Sequence, residues 1–426
     1  MNRTKEIWMS GLALFSMFFG AGNLILPPLL GFKANDQWFI VALGFAITAV
    51  IIPIMAIYAH ARLQGTLYDF GKKVSPLFST IYCVLIYIIA VALPAPRTAS
   101  VTHEMAIAPF FESTTLLTSA IYFALVLVFA LNRSKVLSII GKFLTPLIVI
   151  ILLLIIGIGI SADVPALGIG RSKAPLIDGI LEGYQTFDAI GGVVVGAVLI
   201  ISLNLRGHTS FEAKKELIAK SGWIAGTGLF IIYAGLIGVG ALYNGAFDAN
   251  IDRTDLLSGL SLATLGNIGT TFLSVLVALA CFTTAVGIIT GTADYFKGLF
   301  NDSQWAYNTT AILGCAIGVI VGSYNVEFII TVAVPALMFI YPITIVLILL
   351  NVLPKRFATP LVFRAVVITT MLFSITDFLG ALKLGEMVQP IVDIIPLAKN
   401  SLGWVLPALL AFVISSLVQS LKMNEA

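Results

Sequence analysis

The chain has 426 residues, 59% hydrophobic and 11% charged, with a mean hydropathy of +1.04 and a net charge of +3. Soluble domains carry about 25% charged residues, so a soluble fold is excluded and a polytopic membrane protein is expected. The near-balanced charge points to no nucleic-acid partner, and its information lies in its placement along the chain.

A bilayer core about 30 Å thick needs roughly 20 apolar residues per helix, and lipid-exposed backbone must bond within its own segment. The apolar runs therefore predict an all-helical protein of about twelve spans. They lie near 7–30, 38–60, 77–107, 115–131, 142–161, 183–204, 222–243, 268–295, 305–322, 327–352, 361–382 and 402–421. The first run has no small-residue cleavage site and reads as a retained helix. With both termini cytoplasmic, 17 of the 24 Lys and Arg fall on the cytoplasmic side or at adjacent helix ends, as the positive-inside rule requires. The longest connections are the outer segments 162–182 and 244–267 and the inner segment 205–221. The inner one fits either a helix lying on the membrane surface or a solvated loop.

In chain order, the first irregularity is "FFGAGNLILPP", Phe18 to Pro28. Glycine inside a helix costs about 1 kcal/mol relative to alanine, and each proline removes a backbone donor. The stretch fits a kinked, closely packed helix or an unwound centre whose free N–H and C=O groups line a polar site. Asn23 offers such a site a neutral oxygen. In the third span, Arg97 and Glu104 are two turns apart on one face; they read as an outer structural pair or as an outer gate that includes Glu327. The sixth span carries a second interruption, "GYQTFDAIGG", with Thr186, Asp188 and Gly191–Gly192. An ionisable group inside a span is expensive; the alternative places Asp188 near the outer interface. First and sixth spans correspond if two five-helix repeats are present. The eighth span holds adjacent hydroxyls, Thr283 and Thr284. Such a pair either bonds back to its own helix or offers neutral oxygens to a small hard cation. Asp377 in the eleventh span reads as a packing or headgroup-facing residue.

Cys83, Cys281 and Cys315 lie in apolar runs without metal spacing, and His60, His103 and His208 are far apart. An integral membrane enzyme would need a clustered nucleophile, base or metal set, and a channel would show repeated filter residues. Neither pattern is seen.

With "FFGAGNLILPP", "PAPRTASVTHEMAIAP" at 94–109, "GYQTFDAIGG" and "VAVPALMFIYPITIVLILLN" at 332–351, the chain resembles the bacterial branched-chain amino acid:cation symporters (the LIVCS, or BrnQ, family) over nearly its whole length. That family belongs to the amino acid–polyamine–cation superfamily. The resemblance implies a leucine-transporter-like fold with discontinuous helices one and six. Its inverted repeats would occupy 1–161 and 183–352, with two extra helices at 361–421. It implies symport of leucine, isoleucine or valine with sodium across the bacterial cytoplasmic membrane, and no other cofactor or obligatory protein partner. Proton coupling, or a sensor on the same fold, are the alternatives. By alignment, the backbone of Phe18, Gly20, Ala21, Gly22 and Asn23, with Phe187, Asp188, Ile190 and Gly191, would hold the substrate. The carbonyls of Ser16, Phe19 and Ala280 and the hydroxyls of Thr283 and Thr284 would hold sodium, and Asn23 with Thr186 a second sodium.

Overall fold

In the computed structural model, residues 3–20, 22–132, 136–162, 167–170, 172–194, 196, 210–354 and 356–424 are described. All regular structure among them is helical. The first crossing is α1 (Arg3–Phe18) and α2 (Gly22–Ala34), separated by a break. Asn35, at φ 52°, turns the chain into α3 (Trp38–Ala46) and α4 (Ile52–Leu63), joined by a π turn. After the short α5 (Leu67–Gly71), α6 (Pro76–Ala92) and α7 (Pro94–Thr102) make the third crossing, which ends in a second π turn at His103–Ile107. The next two are α8 (Thr115–Asn132) and α9 (Val136–Ser161). The sixth is α10 (Pro175–Tyr184) followed by α11 (188–194). Then come α12 (Phe211–Leu242), α13 (Arg253–Leu299), α14 (Gln304–Val321), α15 (Val326–Val352) and α16 (Pro360–Ala381). After the short α17 (Gln389–Ile394), α18 (Val405–Asn424) is the twelfth. Among the described residues nine stretches are long and apolar enough to span a bilayer, and one of them, Gly22–Leu63, contains α2, α3 and α4.

Three boundaries differ from expectation. The sixth crossing begins at Pro175 rather than 183, because a proline at the first turn starts a helix within what reads as a connection. The inner segment is continuous with the seventh crossing from Phe211 onward, so that part is neither a separate surface helix nor a loop. The outer segment 244–267 becomes helical at Arg253, and Gly266, at φ 69°, breaks the direction before the eighth crossing proper. Positive φ is natural for glycine and unfavourable for other residues. The end of the sixth span beyond 196 lies outside the described residues.

Buried apolar side chains form two cores. One gathers Phe18, Phe19, Leu24, Phe123, Leu229 and Val277. The other gathers Tyr87, Leu93, Phe187, Ile190, Tyr341 and Phe363. The two broken helices therefore contribute to opposite cores, and the breaks lie at the seam. Tight crossings hold them there. At Gly179 a Cβ would overlap the Val41 carbonyl, so α10 lies directly on the backbone of α3. Filling that crossing has a measurable cost. Gly179→Leu is expected to destabilise the protein by about 1–3 kcal/mol, the usual range for overpacking. It should lower the thermal unfolding midpoint in detergent; an unchanged midpoint would contradict the crossing.

Candidate functional site

Among the described residues of the first break, neither Gly20 nor Gly22 has positive φ. Gly20 N–H bonds to Phe18 O at 3.0 Å and Asn23 N–H to Gly20 O at 3.1 Å. Pro27 and Pro28 lie inside α2, beyond the break. Gly22 is required for a different reason from the one its helix propensity proposes. A Cβ there would overlap the guanidinium of Arg97, which comes from α7.

The break in the sixth crossing lies at Gln185–Phe187, upstream of the glycine pair. Gly191 is helical, its N–H bonding to Phe187 O at 2.8 Å. The chain turns at Phe187, whose φ is 60°. This is a strained conformation for a bulky residue, sustained only by surrounding structure. Thr186 serves the break itself: its hydroxyl donates to Gly183 O at 2.8 Å and accepts from Asp188 N–H at 3.2 Å. The Tyr341 hydroxyl accepts from Ala189 N–H at 3.1 Å, which anchors the start of α11 to α15.

Asn23 joins the two breaks. Its amide nitrogen donates to Phe18 O at 2.6 Å, Asp188 Oδ2 at 2.8 Å and Tyr233 Oη at 2.8 Å. A backbone carbonyl and a carboxylate can only accept, so it is the nitrogen, rather than the oxygen, that faces them. Asp188 is 7% exposed and Asn23 2%, so both are enclosed by protein.

Arg97, 5% exposed, donates from Nη1 to Gln185 O at 2.8 Å, and its guanidinium carbon lies 5.4 Å from the centre of the Phe187 ring. It thus touches both breaks and makes no ion pair with Glu104. Seven residues at 1.5 Å rise separate the two by about 10 Å along the axis, too far for contact despite the shared face. Glu104 instead accepts from the Thr254 hydroxyl at 2.7 Å and from Val326 N–H at 2.9 Å. Glu327 pairs with Arg253, which also reaches Glu182 at 3.0 Å. Sequence reading misses Arg253. Its only signal is Asp252, Arg253 and Asp255 standing at the head of an apolar run, an ordinary helix start. Glu104 and Glu327 are brought together with Arg253; Arg97 belongs to the breaks.

On α13, the Thr283 hydroxyl donates to Ala280 O at 3.0 Å. Thr284 faces the first break: the position a Cβ would take at Gly20 lies 3.9 Å from its Oγ1. Ser16 Oγ is 2.9 Å from Thr145 Oγ1, and Phe19, 7% exposed, stacks on Phe15 and Tyr233. Ala21 lies outside the described residues. A cleft of about 420 Å³ between α2, α10 and α15, lined by Leu30, Glu182, Gln185 and Met338 among others, descends to Gln185. Phe187, Ile190 and Leu93 share the apolar core beside the breaks.

Two half-helices meeting their counterparts at a seam between cores, under an open cleft, define a secondary transporter of the leucine-transporter-like fold. Solved structures agree on the fold. An inward-facing conformation of Mhp1 aligns with a TM-score of 0.62 at 12% identity, covering 98% of this chain and 91% of its own. A substrate-bound, outward-open Na+-coupled sialic acid symporter aligns with a TM-score of 0.59 at 13% identity, covering 97% and 90%. The branched-chain amino acid transport protein family matches residues 3–422, and the branched-chain amino acid transport system 2 carrier protein of Pseudomonas aeruginosa is 34% identical over 98% of this chain and 97% of its own length. The chain belongs to that family, and it is a transporter rather than an enzyme.

The Asn23 bridge makes a prediction about stability. Asn23→Leu leaves Asp188 buried without that donor and is expected to cost about 3 kcal/mol, the upper part of the range for an unsatisfied buried group. Adding Asp188→Leu should restore part of the thermal midpoint, since removing both partners is milder than removing one. A double variant no more stable than Asn23→Leu would refute the bridge.

Proposed function

We propose that the protein imports leucine, isoleucine and valine across the bacterial cytoplasmic membrane by symport with sodium. One observation carries the reading: Thr284 of α13 faces the break between α1 and α2, which supports a cation site adjoining the backbone that would bind substrate. The sodium would be held by the carbonyls of Ser16, Phe19 and Ala280 and the hydroxyls of Thr283 and Thr284. Neutral oxygens of this kind suit a small hard cation, and Thr283 would exchange its bond to Ala280 O for the ion. The Na+-coupled sialic acid symporter of similar fold supports sodium as the partner. The second sodium expected at Asn23 and Thr186 finds less support, because the Asn23 nitrogen faces the break and the Thr186 hydroxyl caps α11. Proton coupling is the second reading, favoured by the buried carboxylate of Asp188.

The substrate carboxylate would meet the N–H groups at the start of α2, around Ala21, Gly22 and Asn23, where the helix end favours an anion. The ammonium would face Phe18 O and the backbone near Phe187, and the side chain would lie against Phe187, Ile190 and Leu93. One methylene in such a pocket is worth roughly 1–3 kcal/mol, so one pocket accepts all three branched-chain residues. We assign the two repeats to the first five and second five crossings, with α16 and α18 outside them. The distribution of Lys and Arg supports a cytoplasmic side for both termini. The Glu104, Arg253 and Glu327 cluster then lies at the outer face as a gate. Sodium tying α13 to α1 would favour the form that accepts substrate, which makes coupling a linkage between two binding events. Rocking of one bundle against the other completes alternating access.

Labelled leucine uptake into proteoliposomes tests this reading. An imposed sodium gradient should drive accumulation that cold isoleucine and valine compete away, while a proton gradient alone should not. Thr284→Ala should cut sodium-driven uptake at least tenfold with folded protein retained. Accumulation driven by protons and indifferent to sodium would overturn the sodium assignment; absence of any uptake would point to a sensor.

A further inference from the structure

Resting on the amino acid reading above, we propose that Arg97 and Asp188 are the two charged poles of the substrate site, Arg97 receiving the carboxylate and Asp188 the ammonium of a zwitterion. Both side chains are buried, at 5% and 7% exposure, and of opposite sign, yet they make no ion pair with each other. Two unlike charges in a low-dielectric interior should close on one another. Here Arg97 bonds to Gln185 O and Asp188 to the Asn23 amide instead.

Their surroundings differ in sign. The Arg97 guanidinium packs against Gly22, the first residue of α2. The N-terminal end of a helix carries partial positive charge, so a guanidinium and a helix end converge on one place. The two repel until an anion lies between them. Among the described residues the guanidinium's hydrogen-bond acceptor is Gln185 O, which leaves most of its five donors for a planar, two-oxygen ligand such as a carboxylate. Asp188 lies near the C-terminal end of α1, which carries partial negative charge. Asp188 Oδ2 and Phe18 O converge on one donor, the Asn23 nitrogen. Both oxygens keep lone pairs to accept from an ammonium. Gln185 Oε1, buried and without a partner among the described residues, lines the cleft above. It is a further neutral acceptor beside the same site. The two poles thus read both ends of an amino acid and set its direction, with its side chain left to the apolar wall.

Binding of leucine and of two analogues to purified protein tests the pairing. Leucinamide lacks the carboxylate, and 2-hydroxy-4-methylpentanoate lacks the ammonium. The wild type should bind each analogue at least a hundredfold more weakly than leucine. In Arg97→Gln and Arg97→Lys the preference for leucine over leucinamide should fall at least tenfold, while the preference over the hydroxy acid is kept. In Asp188→Asn the pattern should reverse. Preferences unchanged in folded variants, or wild-type binding of leucinamide as tight as leucine, would overturn the proposal while leaving the transport reading intact. Tight wild-type binding of leucinamide overturns the pairing even where a variant fails to fold. A wild type that binds no branched-chain amino acid would instead overturn the transport reading itself.

Discussion

The structure depends on one amide. Two interrupted helices in a hydrocarbon layer leave backbone groups with no water to bond, and the Asn23 nitrogen gathers a carbonyl from one break, a carboxylate from the other and a tyrosine hydroxyl from α12. Its position at the second residue of α2 places it within reach of both breaks. The bond also crosses between the two apolar cores, so it fixes their relative position where both are interrupted.

Function follows from that placement. A site built at a seam changes shape whenever the two cores move, whereas a site inside one core would travel with it unchanged. Glu182, which lines the cleft, pairs with Arg253 of α13, and Arg253 pairs in turn with Glu327 of α15. Movement of α10 must therefore disturb this ion pair and the polar bonds at the second break together. The mechanical connection runs through α10, which carries Glu182 on the cleft wall and Gln185 at the break.

Much of this is legible in the sequence, and the exceptions share a cause. The crossings and the first break follow from hydropathy and from residues with strong local preferences, and the approach of Thr284 from the family resemblance. The second break falls within the expected stretch, at Gln185–Phe187 rather than at the Gly191–Gly192 pair, because the chain turns at Phe187 under tertiary contacts. Helix propensity singles out Gly22 for its flexibility; its small size beside Arg97 is what the structure uses. Arg97 and Glu104 share a helical face, but periodicity says nothing of tertiary neighbours, and these send them to different sites. Arg253 stands after a connection that folds into helix, and no local pattern announces its two carboxylate partners.

Phe187 has a consequence for how the protein is made. Aromatic residues prefer right-handed backbone, and nothing in "QTFDA" itself forbids a continuous helix. The sixth crossing would therefore leave the insertion machinery as an unbroken rod. Its interruption would form only when Arg97 and Tyr341 dock from other crossings. The second break is then among the last parts of the molecule to form, and a chain arrested before the tenth crossing would carry both interrupted stretches and still lack the contact from Tyr341 that anchors the start of α11.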